Sequence, residues 1–298
     1  MLALTFAFLL GGPIFLLSAA NGGLRLELVA ADLSEAAVAL IMLMLTLLFL
    51  AAISLGFTIA ITLWTAQRKL SKLRRGAIRV GPEQFPAFHT IAESVRATLG
   101  VATPVSIYVM EAARLPHAGG PISVLGVLKP YTIMMTSALV NDIEPEELKF
   151  LLGIEYGHVK LGHVRVLTMI DAVSGSLGRV PFVGGFISLI FLGWTRLSTY
   201  SADRAGLIAG GNLAAAYDIF GKLTVGRKLW AEVNHVALAQ QVSRTTGRFH
   251  AAANRTTLPF DTAPLGRFQR LVIFSHTPIF AELCPHADLS FEHMELWQ

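Results

Sequence analysis

The residues with the clearest chemical potential are Glu155-Tyr156-Gly157-His158, which set a carboxylate and an imidazole three positions apart. On a helix that spacing puts both side chains on one face, where they can pair. A helix that holds zinc for hydrolysis commonly reads H-E-x-x-H: two His four apart bind the ion, and the Glu between them is the general base. Here His158 fills the second His position and Glu155 that of the base, while Ile154 stands where the first His would be. E-x-x-H alone arises often by chance, so its surroundings decide what it means.

No other histidine has ligand spacing to this pair. His163 lies five residues beyond His158, about 140° round a continuous helix, so the spacing predicts that the two imidazoles do not converge on one ion. His117 precedes a Gly-Gly-Pro turn and reads as an exposed loop residue. His89, His235, His250, His276, His286 and His293 are scattered. Cys284 is the single cysteine, which excludes an intramolecular disulfide and a Cys-rich zinc module.

The elements that must position Glu155 and His158 can be read from periodicity and punctuation. A helix is predicted from Pro145, a favoured first helical residue, with Glu146 and Glu147 at the positive end of its dipole, continuing through His163 towards Met169. Val105 to Met110 and Tyr131 to Thr136 are short β-rich runs and read as strands, with Ala118-Gly119-Gly120-Pro121 as a turn between them. Pro82 to Leu99 reads as an amphipathic helix with Phe85, Phe88, Ile91, Val95 and Leu99 at helical spacing. A further helix, from about Phe186 to Ala209, carries Thr199, Tyr200, Asp203 and Arg204. The apolar stretch 180–194 is too short for a clear span and is left as either a buried core helix or a shallow membrane-dipping one. Helices dominate up to about Leu283, and residues 284–298 read as a tail.

Composition places the chain at a membrane. Of its 298 residues 53% are hydrophobic and only 15% charged, against about 25% charged in a typical soluble domain. The deficit lies in the first 65 residues. Residues 2–20 are almost wholly apolar and no basic residue precedes them, so they read as a retained helix rather than a cleaved signal peptide. After a short polar loop, residues 36–64 carry no charged residue and are long enough to span a bilayer. The run Arg68, Lys69, Lys72, Arg74 and Arg75 follows. It holds five positive charges, and +4 − 5 leaves −1 for the rest of the chain. A near-neutral remainder argues against nucleic-acid binding. The basic run reads as a topology signal and an anionic-lipid contact, which puts both termini and the larger domain on the cytoplasmic side.

The wider context of Glu155 and His158 resembles the membrane metallopeptidases of family M48, which include the HtpX-like heat-shock proteases and CAAX-prenyl endopeptidases. Glu144-Pro145-Glu146-Glu147-Leu148 stands ahead of the motif, and Gly157-His158-Val159-Lys160-Leu161-Gly162-His163 covers its end. Downstream, Ala202-Asp203-Arg204-Ala205-Gly206-Leu207 is similar to the family's E-x-x-A-D segment, but Thr199 stands at the Glu ligand position. Tyr131 to Thr136 looks like the family's edge strand before the active-site helix, and the resemblance covers roughly residues 80–280.

What the resemblance implies is a mainly α (α+β) protein. An N-terminal transmembrane hairpin (1–65) and a basic linker (66–80) precede a mostly helical zincin-type domain with a small β-sheet (81–283). It also implies zinc ligands at positions 154, 158 and 199, of which His158 alone is retained. Glu155 then becomes a relic general base and His158 a relic ligand. Asp203 becomes a structural supporting residue able to accept a hydrogen bond from His158, and Ile154 packs against the Thr199 methyl. The expectation is a pseudopeptidase with no cofactor, serving as scaffold, adaptor or accessory subunit among membrane protein partners in the lipid bilayer. The alternative is an active zinc endopeptidase with an unusual metal site.

Overall fold

A computed structural model describes residues 35–111, 120–177, 183–242 and 264–290, together with Trp297. The expected first span (2–20) and His117 lie outside the described residues. The chain divides into two compact units, 1–64 and 65–298.

Helix α1 (Glu35–Arg75) runs for 41 residues because nothing between Ala36 and Trp64 breaks or charges it. It is the one described helix long and apolar enough to cross a membrane. Leu40, Leu43, Leu47, Leu48, Phe57 and Trp64 are each more than half exposed, an apolar surface that water does not favour.

Within the second unit, the end of α1 is tied to a four-stranded sheet made of β1 (Ile78–Arg79), β2 (Val105–Met110), β3 (Ile122–Leu125) and β4 (Tyr131–Thr136), in the order β1-β2-β4-β3. Arg74 donates to Thr132 Oγ1 at 2.9 Å and to the Pro130 carbonyl at 3.1 Å, and Leu73 packs on Met110 and Met134. Arg74 is therefore a strut to the sheet, a role different from the lipid contact expected of the basic run.

Strand β4 pairs in parallel with β2 from Val105↔Tyr131 to Met110↔Thr136 and antiparallel with β3 from Ile122↔Met135 to Leu125↔Thr132. All six of its residues are buried, as an inner strand covered on both faces requires. The expectation that Tyr131 to Thr136 forms the edge is thus corrected: β3 is the edge, and its four residues are too short a run to stand out by periodicity.

Among the described residues the rest is helical: α2 (Pro86–Thr98), α3 (Ser137–Asp142), α4 (Pro145–Lys160), α5 (His163–Leu177), α6 (Val183–Gly210), α7 (Leu213–Val225), α8 (Arg227–Trp230) and α9 (Pro264–Ser275), with a helical run at 235–242 and a short α10 (Pro278–Leu283). Helix α4 starts at a capping box in which Glu144 and Glu147 satisfy each other's backbone N–H groups, with Pro145 in the first turn. Glu147, which is buried, also holds half-buried Lys222 of α7 at 2.7 Å. α4 is surrounded by α2, α6, α7 and β3, so it is apolar nearly all round.

The closest approach is between α4 and α6. A Cβ on Gly157 would lie 2.6 Å from Ala205 Cβ, and one on Gly153 would lie 2.8 Å from both Ala209 Cβ and Gly206 Cα. Small residues on both helices let the backbones meet. Helix α4 ends at Leu161, and Gly162 at φ 76° turns the chain into α5, which breaks the single helix expected through His163. The stretch 180–194 falls partly outside the described residues; the rest opens α6, where Ile190 is 59% exposed, which is unlike a buried core helix. Residues that read as a tail dock instead: Asp288 exchanges backbone hydrogen bonds with Gly211 and Leu213, and Trp297 is buried against Tyr217 and Phe268.

Candidate functional site

The site lies where the middle of α4 meets the edge strand and α6. Glu155 is buried, and its Oε2 accepts the Val124 N–H at 2.7 Å. Thr136 N–H donates to the Pro121 carbonyl across β3 and β4. Pairs alternate in an antiparallel ladder, so the Val124 N–H points away from β4, along the free edge. A carboxylate on α4 thereby occupies an edge donor that would otherwise invite another strand. Burial pushes the Glu155 carboxyl up to about 7, with the Val124 bond and the Arg267 charge opposing the rise.

His158 does not pair with Glu155 or Asp203. Its Nδ1 lies 3.2 Å from Nδ1 of His163, and the two rings meet edge to face. The turn at Gly162 brings them together, overturning the expectation drawn from a continuous helix. Trp194 of α6 packs edge-on to His163 with centroids 5.7 Å apart. Burial, then the neighbouring His163 and Arg267, hold His158 down at about 3, so its ring is neutral at physiological pH.

Asp203 has a different partner from the one expected. Its two oxygens take a fork from Arg267 of α9, Nε to Oδ2 at 2.9 Å and Nη2 to Oδ1. The guanidinium also lies over the Phe220 ring at 4.9 Å. Asp203 is 1% exposed, so an unpaired carboxylate there would be costly, and the planar fork of Arg suits it. Arg267 is the site residue that sequence reasoning missed. The only hint was a lone Asp in an apolar helix, which demands a cation, and nothing in the spacing points to one 64 residues away.

Ile154 is buried with its Cγ1 against Gly206, where an added Cβ would be 2.7 Å away. Its neighbour is thus Gly206, about two turns beyond the expected Thr199. Thr199 directs its hydroxyl to the Thr195 carbonyl of its own helix at 2.9 Å.

A catalytic zinc needs three protein donors and a water. Of the positions 154, 158 and 199, His158 alone offers a good donor: Ile154 has none, and the Thr199 hydroxyl is neutral and bound elsewhere. Among the described residues no group of three or more His, Cys, Asp or Glu converges. The residues present do not fit a three-ligand zinc, and no hydrolytic step is derived through one.

An inner helix bearing E-x-x-H, packed between a sheet edge and a second helix bearing A-D, defines a zincin-type α+β domain. The family profile described as Peptidase family M48 matches residues 82–225, and this domain belongs to that family. The chain is 26% identical over 115 residues to a protease HtpX homolog of Thermoanaerobacter pseudethanolicus, covering 38% of this chain and 37% of the relative. It is 28% identical over 126 residues to a protease HtpX homolog of Caldanaerobacter subterraneus subsp. tengcongensis, covering 41% and 40%. The chain thus spans about two-fifths of the length of the curated relatives it matches. No solved structure matches it.

Proposed function

We propose that this chain is a membrane-anchored member of the peptidase family that has lost its catalytic zinc and proteolysis, and serves as a scaffold, adaptor or accessory subunit of a membrane protein complex. The observation that carries the reading is Ile154: a side chain with no donor atom fills the first ligand position and is packed into the α4–α6 contact. Without a metal, a bound water keeps a pKa near 15.7 instead of about 7, and Glu155 has no activated nucleophile to deprotonate. Its carboxylate is instead engaged by the edge strand at Val124.

The anchor is the apolar stretch of α1. Arg68, Lys69, Lys72 and Arg75 at its end support a cytoplasmic position for the domain. A retained fold without chemistry is best used for binding, and the partners are other membrane subunits. The test is peptide hydrolysis by the purified full chain, with elemental analysis alongside. The expected result is no zinc-dependent cleavage. Cleavage abolished both by a chelator and by Glu155→Gln would overturn the proposal.

A further inference from the structure

Two imidazoles whose nitrogens face each other across a tight turn can do more than share one proton. We propose that His158 and His163 form a two-nitrogen site for a borderline divalent metal ion, with Cu2+ retained above others. The site shares His158 with the three lost catalytic positions and differs from them in its second donor, His163, which none of the three includes.

The geometry comes from the chain turn. Leu161 ends α4, Gly162 takes φ 76°, and His163 opens α5. That reversal leaves Nδ1 of His158 and Nδ1 of His163 3.2 Å apart. An ion about 2.0 Å from each nitrogen, the usual metal–imidazole distance, would subtend roughly 105° between them. That angle lies between the right angle of adjacent tetragonal positions and the tetrahedral value. Reaching the first would bring the two nitrogens closer by roughly 0.4 Å at the usual metal–imidazole distance.

The rings are also held in place. His163 packs nearly perpendicular to Trp194, with centroids 5.7 Å apart, and His158 is carried on α4, which packs closely on α6. Both are partly exposed, so an ion has a path in and solvent can fill its remaining positions. The hydrogen bond between the rings needs one Nδ1–H. Metal binding moves that proton to Nε2 of the same ring, so both Nδ1 lone pairs face the ion and no charge is lost from the protein.

Imidazole suits Zn2+, Ni2+ and Cu2+, and with only two protein donors the intrinsic order of affinities decides, which places Cu2+ highest. No third His, Cys, Asp or Glu completes the site among the described residues. The ion is therefore exchangeable and is lost on gel filtration with chelator.

The experiment is titration of the full chain in detergent with Cu2+, followed by electron paramagnetic resonance. The expected result is one ion per chain, with hyperfine coupling to two imidazole nitrogens. His163→Gln and His158→Gln should each weaken it at least tenfold, while His286→Gln, at an exposed histidine outside the site, should leave it unchanged. The wild-type spectrum tests the donor set even if a variant folds poorly. Copper held with equal affinity in His163→Gln, coupling to a different nitrogen set, or no binding would overturn the proposal. None of these outcomes bears on proteolysis, so this site and the proposed loss of activity stand or fall separately.

Discussion

Replacing Gly157 by Ala asks whether steric interlock holds α4 to α6. In an open helical position this change is favourable, since Ala exceeds Gly in helix propensity by about 1 kcal/mol. At Gly157 the new Cβ would lie 2.6 Å from Ala205 Cβ and 3.4 Å from Ala202 Cα and O. Carbon atoms meet comfortably at about 3.5–4.0 Å, so the helices must separate by roughly 1 Å. Ala205 Cβ cannot rotate away, being fixed to its backbone. The same opening loosens Gly153 on Gly206 and Ile154 on Gly206, so the cost falls at the upper part of the roughly 1–3 kcal/mol typical of overpacking. The net expectation is a loss of about 1–2 kcal/mol, or a fall in Tm of roughly 2–8 °C for a domain of this size. Gly193→Ala is the control: it lies in α6 with nothing within 4 Å of the new Cβ, and it should stabilise. Thermal melts followed by far-UV circular dichroism in one detergent compare the two. If Gly157→Ala stabilises as much as Gly193→Ala, the interlock does not exist.

Two further outcomes follow from the buried charges. Arg267→Met leaves Asp203 buried without its cation and should cost about 3–5 kcal/mol, whereas Asp203→Leu with Arg267→Met should recover most of it. Additive losses in a double-mutant cycle of denaturant midpoints would refute the pairing. For Glu155, the folded carboxyl at about 7 lies above its ordinary 4.5. Below pH 4.5 it is protonated in both states and costs nothing. Between 4.5 and 7 the unfolded chain releases its proton and the folded chain keeps it, so stability falls as pH rises. Above 7 the full penalty applies, about 3 kcal/mol as an order of magnitude. Glu155→Gln keeps an acceptor for Val124 and removes the titration. It should be more stable than wild type at pH 8 and indistinguishable at pH 4, and a pH-independent difference in unfolding free energy would refute the assignment.

Sequence alone determined the local elements and the inventory of donors. Proline and acidic residues at 145–147 specify where α4 begins, and β-rich runs specify β2 and β4. The uncharged 36–64 specifies an apolar helix, and Ile154 and Thr199 cap how many metal donors those three positions can offer. These are properties of single residues or of periods within one element, and a chain displays them without being folded. Tertiary structure decided who meets whom. Asp203 finds Arg267 rather than His158 because two helices far apart in sequence pack together, and a buried carboxylate takes the cation that packing brings. Glu155 binds Val124 because β3, too short to show a period, is the strand at the edge. His158 and His163 meet because Gly162 adopts a left-handed conformation and ends the helix. A continuous helix would hold them about 140° apart; the glycine that permits the left-handed angle stands in the sequence as a helix stop, but the meeting of the two rings across the turn needs the fold, because it depends on where α5 departs from α4.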